Sequence, residues 1–151
     1  MKPRDYFAEM CVAGKLADQG WYLYFPHRDI GFDMIATKVV DGATVIRPIQ
    51  VKGKYAKDEK TAKQSYGYIG KLTALHDDMV LAIPFFTSVS DAAPHFVAYM
   101  PRAFIKPHKK GYACQPAKFT TQGPVKRRDY ERYFDNAGID LLEQAAFGAE
   151  L

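Results

Sequence analysis

Four polar residues near the start of the chain have the side chains that metal-assisted phosphodiester hydrolysis requires. Asp33 offers a carboxylate, Gln50 a side-chain carbonyl oxygen and Lys52 an ammonium group, and Glu9 adds a second carboxylate. Carboxylate and amide oxygens are hard ligands of the kind that Mg²⁺ accepts, usually with water and substrate phosphate completing the shell. A lysine beside such an ion can position an attacking water or neutralise charge that develops on phosphorus. These residue types indicate phosphoryl chemistry, provided that the fold brings them together.

A β-hairpin is the element that must position three of them. Asp41-Gly42 separates two alternating, β-branched runs, 32–40 and 43–54. This dipeptide between two such runs is the strongest short-range hairpin signal. With a two-residue loop, Asp33 faces Gln50, and their Cβ atoms lie roughly 4.5–5.5 Å apart.

The register of the hairpin decides whether the site forms. Lys52 lies two residues beyond Gln50 and therefore points to the same face of the strand. Pro48 lacks an N–H for the ladder and marks an edge or a bulge. A one-residue slip at Pro48 would turn Gln50 and Lys52 away from Asp33.

The remaining elements predict a single α/β domain over residues 1–151. Residues 4–19 read as an amphipathic helix, in which Glu9 lies at the border of the apolar face and could lean towards the sheet. The segment Met79 to Phe86 is a continuous apolar run, typical of a strand that is covered on both faces. Further strands are predicted at 21–25, 96–100 and 112–121, and C-terminal helices at about 127–147, broken at Asn136-Ala137-Gly138.

Composition and missing motifs exclude several classes of protein. With 48% hydrophobic and 14% aromatic residues in 151, the chain predicts a packed core rather than disorder. Its longest uncharged runs are too short for a bilayer and no signal peptide is recognisable, so we expect a cytoplasmic protein with no membrane contact. The sequence lacks the glycine-rich, serine-hydrolase and zincin motifs, so nucleotide binding and those hydrolase chemistries have no support.

The charge is distributed unevenly along the chain. Residues 52–132 hold fifteen basic and seven acidic side chains, whereas residues 1–51 are balanced. Such a surface attracts polyanions, of which the DNA backbone is a common one, although a basic surface that serves only solubility is the alternative. The basic residues expected to hold DNA are Lys54, Lys57, Lys109, Lys110, Arg127 and Arg128. His27 and Arg28 read as a plain surface turn that could also approach a phosphate.

The first part of the chain resembles the PD-(D/E)XK nuclease superfamily, whose core begins helix, strand, strand, strand. The matching pieces are Glu9 in the first helix, Gly31-Phe32-Asp33 at the start of one strand, and Ile49-Gln50-Val51-Lys52 in the next. Phe32 stands where the superfamily motif has proline. Gln50 stands at the usual second acidic position, and this variant is similar to the branch that contains group I intron-encoded homing endonucleases. The specific resemblance covers about residues 4–54.

The resemblance implies a fold, an activity and a cofactor. The fold is a three-layer α/β restriction-endonuclease-like core, with helices on both faces of a mixed central sheet. The activity is DNA endonuclease with Mg²⁺, or Mn²⁺ as a substitute, in which Asp33, Gln50 and Glu9 hold the metal and Lys52 assists the attacking water. Cutting both strands of a duplex favours a homodimer or higher oligomer, because a domain of this size covers one side of the DNA.

Two alternatives remain open on the sequence. Gln50 removes one negative charge from the metal site, which is consistent with an inactive nuclease fold that binds DNA or a protein partner. A structural or regulatory protein without a nucleic-acid role is the second alternative.

Overall fold

The hairpin that contains Asp41-Gly42 is part of a mixed sheet, six-stranded in the described part of the chain. The structure is a computed structural model that describes residues 3–56 and 68–149. Its helices are α1 (Pro3–Asp18) and α2 (Asp135–Leu141), with 3-10 turns at Arg102–Phe104, Arg128–Tyr133 and Ala145–Ala149. Its strands are β1 (Tyr22–Tyr24), β2 (Met34–Val40), β3 (Ala43–Val51), β4 (Lys54–Tyr55), β5 (Tyr68–Gly70), β6 (Val80–Phe86), β7 (Phe96–Pro101), β8 (Lys106–His108), β9 (Gly111–Ala113), β10 (Ala117–Thr120) and β11 (Gly123–Lys126).

The main sheet combines antiparallel and parallel pairs. Strands β1, β2 and β3 pair antiparallel in that order, and β3 then pairs parallel with β6. Strand β4 continues beside β6 after β3 ends, and β7 pairs antiparallel along the other edge of β6. This arrangement confirms the α/β class, whereas the restriction-endonuclease-like core itself stays a prediction.

The hairpin has the predicted register. Its pairs run from Val40 with Ala43 to Met34 with Ile49. Both turn residues have positive φ, 51° and 81°, as a two-residue type I′ turn requires.

Pro48 causes no slip, because of where β6 joins the sheet. Pro48 pairs with Ile35 on β2 without a register shift, and β6 lies beside β3 only from Ile49 onward. The missing N–H of Pro48 therefore falls where β3 has no second neighbour, which is where a sheet tolerates proline.

Both α-helices of the described ranges lie against one face of the main sheet. The buried Arg47 on that face donates from Nε and Nη2 to the carbonyl oxygens of Leu142 and Gln144, just beyond α2, at 3.0 and 2.7 Å. Lys38 on the same face donates to the Gln19 carbonyl, just beyond α1, at 2.9 Å. The side chains of Arg47 on β3 and Lys38 on β2 point to the same face of the sheet. Their hydrogen bonds therefore hold the C-terminal ends of both helices against that face.

The other face is covered differently in the described residues. The β10–β11 hairpin packs there, with the Phe119 and Phe85 rings 6.1 Å apart between centroids. The crossover from β3 to β6 includes residues 57–67, which lie outside the described residues. The expectation of a helix layer on this second face therefore stays a prediction.

The C-terminal prediction is wrong in one detail. Helix α2 continues through Asn136-Ala137-Gly138 instead of breaking there. A Cβ at Gly138 would lie 2.1 Å from the Tyr133 carbonyl oxygen, so glycine is needed for the close approach of the helix to the preceding turn.

No helix in the described ranges is both long enough and apolar enough to cross a membrane.

Candidate functional site

A cleft of about 610 Å³ opens at the end of the β2–β3 hairpin. Its lining comes from α1, from the loop 25–33 between β1 and β2, from the end of β3 and from the segment 71–73. Glu9, Asp33, Gln50 and Lys52 all line this cleft. The structure therefore brings together the four residues that the sequence predicts as a site.

Asp33 is held by the end of the β3 ladder. Strand β2 begins at Met34, so the N–H of Val51 faces a position that β2 does not reach. Asp33 Oδ2 accepts that N–H at 2.7 Å and takes the place of a strand carbonyl. The backbone N–H of Asp33 donates in turn to the Ile49 carbonyl at 2.9 Å, which fixes the residue at both ends.

The Gln50 amide is oriented by the same carboxylate. Its Nε2 donates to Asp33 Oδ2 at 3.1 Å. Because an ionised carboxylate only accepts hydrogen bonds, the nitrogen of the amide must face Asp33. The carbonyl oxygen of Gln50 is thus the end of the amide left to bind a cation or a water.

Glu9 is buried beside a like charge. Its side chain is 9% exposed. Burial, a hydrogen bond to Asp33 and the negative charge of Asp33 raise the pKa of Glu9 to about 8. Glu9 therefore keeps its proton at neutral pH in the folded protein, because burial and the neighbouring negative charge both disfavour its ionised form.

These groups form a donor set that fits Mg²⁺. The described residues contain no group of three or more His, Cys, Asp or Glu side chains arranged so that they could hold a metal ion by themselves. The site instead combines two carboxyl groups with one amide oxygen, and its oxygen-only chemistry suits a hard cation that keeps some of its water. The cleft leaves space for that water and for a phosphate group.

Lys52 supplies a cation that forms no ion pair with the residues the structure describes. The residue directly follows β3, and its N–H donates to the Ala82 carbonyl on β6 at 3.0 Å. Its half-buried side chain lines the cleft, and among the described residues its ammonium makes no hydrogen bond or ion pair. A fixed backbone and an unengaged charge are the features of a group that acts on a ligand.

Two further cations line the cleft. Arg28 comes from the loop 25–33, and Lys71 comes from the opposite segment. Sequence reasoning missed Lys71, because no motif surrounds it and only the fold brings the segment 71–73 against the loop.

The described residues among those predicted to hold DNA lie outside the cleft lining. The cleft lining contains none of the five that are described, and Lys57 lies outside the described residues. Lys109 and Lys110 occupy an exposed turn between β8 and β9, and β9 pairs with β5, which ends directly before Lys71. That turn therefore lies at the same end of the small sheet as Lys71. Of the others, Lys54 and Arg127 are half-buried and Arg128 is exposed.

A glycine joins the two walls of the cleft. Gly31 has a φ of +92°, and a Cβ there would lie 2.5 Å from the Ala74 Cβ and 2.9 Å from Thr73 Oγ1. Gly42 also has positive φ, but a Cβ there meets nothing within 4 Å.

We expect Gly31→Ala to destabilise the protein by about 3 kcal/mol, compared with about 1 kcal/mol for Gly42→Ala. Both substitutions place an alanine in a left-handed backbone conformation, which costs stability. Only the alanine Cβ at residue 31 would also clash with Thr73 and Ala74 and push the two walls of the cleft apart. Urea unfolding of the two variants measures the difference. Equal destabilisation would show that the two walls are not in the contact described.

The raised pKa of Glu9 predicts a stability that falls as pH rises. Glu9 titrates at 4.5 in the unfolded chain and at about 8 in the folded one. Between pH 4.5 and about 8, folding therefore requires the uptake of a proton by Glu9. The free energy of unfolding falls as pH rises through this range and levels off above pH 8. Glu9→Gln removes the cost, so we expect it to raise the free energy of unfolding by roughly 1–2 kcal/mol at neutral to alkaline pH.

Urea unfolding in EDTA at several pH values tests this, with Glu131→Gln as an exposed control. The gain from Glu9→Gln should vanish below pH 4.5 and the control should show no such trend. A Glu9→Gln protein that is less stable than the native chain at pH 8 would contradict the carboxyl pair.

The chain matches no known protein-family model, and comparison with curated proteins finds no significant relative.

Proposed function

We propose that this chain is a metal-dependent DNA endonuclease of the PD-(D/E)XK type, which hydrolyses phosphodiester bonds. The observation that carries the proposal is the meeting of Asp33, Glu9, Gln50 and Lys52 in one open cleft. Residues from one helix and from both strands of a hairpin converge there, with hydrogen bonds that fix two of the four side chains.

The order of the elements supports the same proposal. Helix α1 is followed by three antiparallel strands, and β6 then returns parallel to β3. The helix followed by three strands is the order that the resemblance implies for the beginning of the superfamily core.

Asp33, Glu9 and the carbonyl oxygen of Gln50 would hold Mg²⁺ or Mn²⁺. When bound, the metal supplies electrophilic stabilisation to a phosphate oxygen. Ionisation of Glu9 would accompany binding, because a carboxyl group must lose its proton to act as a ligand.

The protein side chains have separate tasks in this mechanism. The hydrogen bond from the Val51 N–H holds the Asp33 carboxylate in place, and that carboxylate orients the Gln50 amide. Lys52 donates a hydrogen bond to the attacking water or to a phosphate oxygen and offsets the negative charge that grows in the transition state. Arg28 and Lys71, at the walls of the cleft, bind phosphates of the strand.

An inactive DNA-binding or protein-binding module is the second candidate. The hydrogen bond between Gln50 and Asp33 favours this second candidate, because the neutral amide donates to the Asp33 carboxylate without a metal ion. A second acidic residue in place of Gln50 would need a metal ion between the two carboxylates. The two candidates share a fold and differ in chemistry.

A plasmid assay separates them. Supercoiled, linear and branched DNA are incubated with the protein in Mg²⁺, in Mn²⁺ or in EDTA. A nuclease converts the DNA in either metal and not in EDTA, whereas a binding module shifts the DNA in a gel and leaves it intact. Absence of both binding and cleavage would overturn the nucleic-acid role altogether. Cleavage of both strands at one place, with a dimer in solution, would support the oligomer expected for duplex cutting.

A further inference from the structure

Two large aromatic rings stand open to solvent in the walls of the cleft. Tyr6 on α1 is 60% exposed and Phe25, directly after β1, is 53% exposed. Both line the same cleft as Asp33 and Lys52. Single exposed rings are common on protein surfaces. Two rings from separate elements around one set of reactive groups form an arrangement that a ligand can use.

The cations of the cleft indicate what kind of ligand that is. Arg28 and Lys71 line the cleft together with the two rings. A groove that combines positive charge with exposed aromatic rings is typical of sites for single-stranded nucleic acid, where the charges follow the backbone and the rings stack on bases. In a regular duplex the faces of the bases are already stacked on one another, so a duplex could use the cations but not the rings.

The size of the cleft agrees with this chemistry. A volume of about 610 Å³ falls within the range that encloses small organic ligands, to which a nucleotide belongs. Tyr6, Phe25 and the reactive groups therefore surround a space of the right scale for unpaired nucleotides.

We infer that the cleft receives an unpaired DNA strand, with bases stacked on Tyr6 and Phe25 and the phosphates held by Arg28 and Lys71. This inference rests on the proposed function, because it names the form of DNA that the same site takes. It predicts that the protein prefers DNA with single-stranded tails or branch points over continuous duplex.

Binding measured in EDTA tests the inference without any need for chemistry. The probes are a fluorescently labelled single-stranded oligonucleotide, the matching duplex, and the same duplex with a single-stranded tail. Tyr6→Ala and Phe25→Ala are each expected to weaken binding of the single strand and the tailed duplex about tenfold, which corresponds to the loss of one base–ring stack. Binding of the continuous duplex should stay nearly unchanged, and Phe25→Trp should retain full affinity.

Tyr22→Ala is the matched control. Tyr22 is 69% exposed on β1 and does not line the cleft, so its removal should leave all three affinities unchanged. Equal losses on duplex and single strand, no loss in the Tyr6 and Phe25 variants, or a native protein that prefers continuous duplex would each overturn the inference.

The outcomes also separate this inference from the proposed nuclease activity. Metal-dependent cleavage together with aromatic variants that do not discriminate between DNA forms would overturn the inference and leave the nuclease in place. Selective loss of single-strand binding without cleavage in any metal would support the stacking site and overturn the nuclease.

Discussion

Asp33→Asn is expected to lower metal-dependent DNA cleavage by about a thousandfold or more, because the substitution removes the fixed negative charge of the candidate metal site. The fold should survive. The hydrogen bonds that Asp33 accepts from the Val51 N–H and from Gln50 Nε2 both end on the same oxygen, Oδ2. An asparagine oxygen in that position accepts both. The loss of the like charge beside Glu9 should leave stability unchanged or slightly higher.

Asp29→Asn is the matched control for this substitution. Asp29 lines the same cleft and its Oδ1 accepts the Gly31 N–H at 3.0 Å, which an asparagine oxygen can also do. Its charge is exposed and therefore screened by water, so we expect the cleavage rate of this variant to stay within about threefold of the native rate.

The measurement is the initial rate of plasmid nicking in Mn²⁺, with urea unfolding of each variant alongside. A folded Asp33→Asn protein that nicks at the native rate would show that the activity arises from another site or from a contaminant. Equal losses in both variants would show that the cleft needs negative charge in general rather than Asp33.

The parts of this site that the sequence predicts are those that depend on local chemistry. Asp41-Gly42 adopts a turn that its own backbone preferences dictate, and that turn determines which residues of β2 and β3 meet. From the turn, the positions of Asp33 and Gln50 follow by counting, and they hydrogen-bond to each other in the structure.

Other features depend on contacts between distant segments and leave no local signal. The burial of Glu9 and the position of Lys71 follow from how α1 and the segment 71–73 pack around the end of the hairpin. Helix propensity alone predicts that Gly138 breaks a helix, yet its missing side chain is what lets α2 approach Tyr133. Charge counts identify a basic region but not its geometry, so Arg28 and Lys71, which line the cleft beside Lys52, are not among the residues that the sequence predicts to hold DNA.

Lys52→Ala should reduce the maximal cleavage rate by about a hundredfold or more, as the loss of a positioned charge at a transition state does. The native ammonium has no competing partner among the described residues, so its charge is available to the transition state. The side chain is half-buried and makes no hydrogen bond within those residues, so its removal should change the unfolding midpoint little. Binding of DNA in EDTA should weaken only severalfold, because the interaction is made chiefly in the transition state.

Lys71→Ala provides the contrast, since Lys71 lines the same cleft but is exposed. We expect it to raise KM and to make binding less sensitive to salt, while the rate at saturating DNA stays near the native value. The two lysines thus separate catalysis from binding in one cleft. If Lys52→Ala alters KM alone, Lys52 is a phosphate-binding residue like Lys71. Another group must then position the attacking water or stabilise the charge that develops on the phosphate.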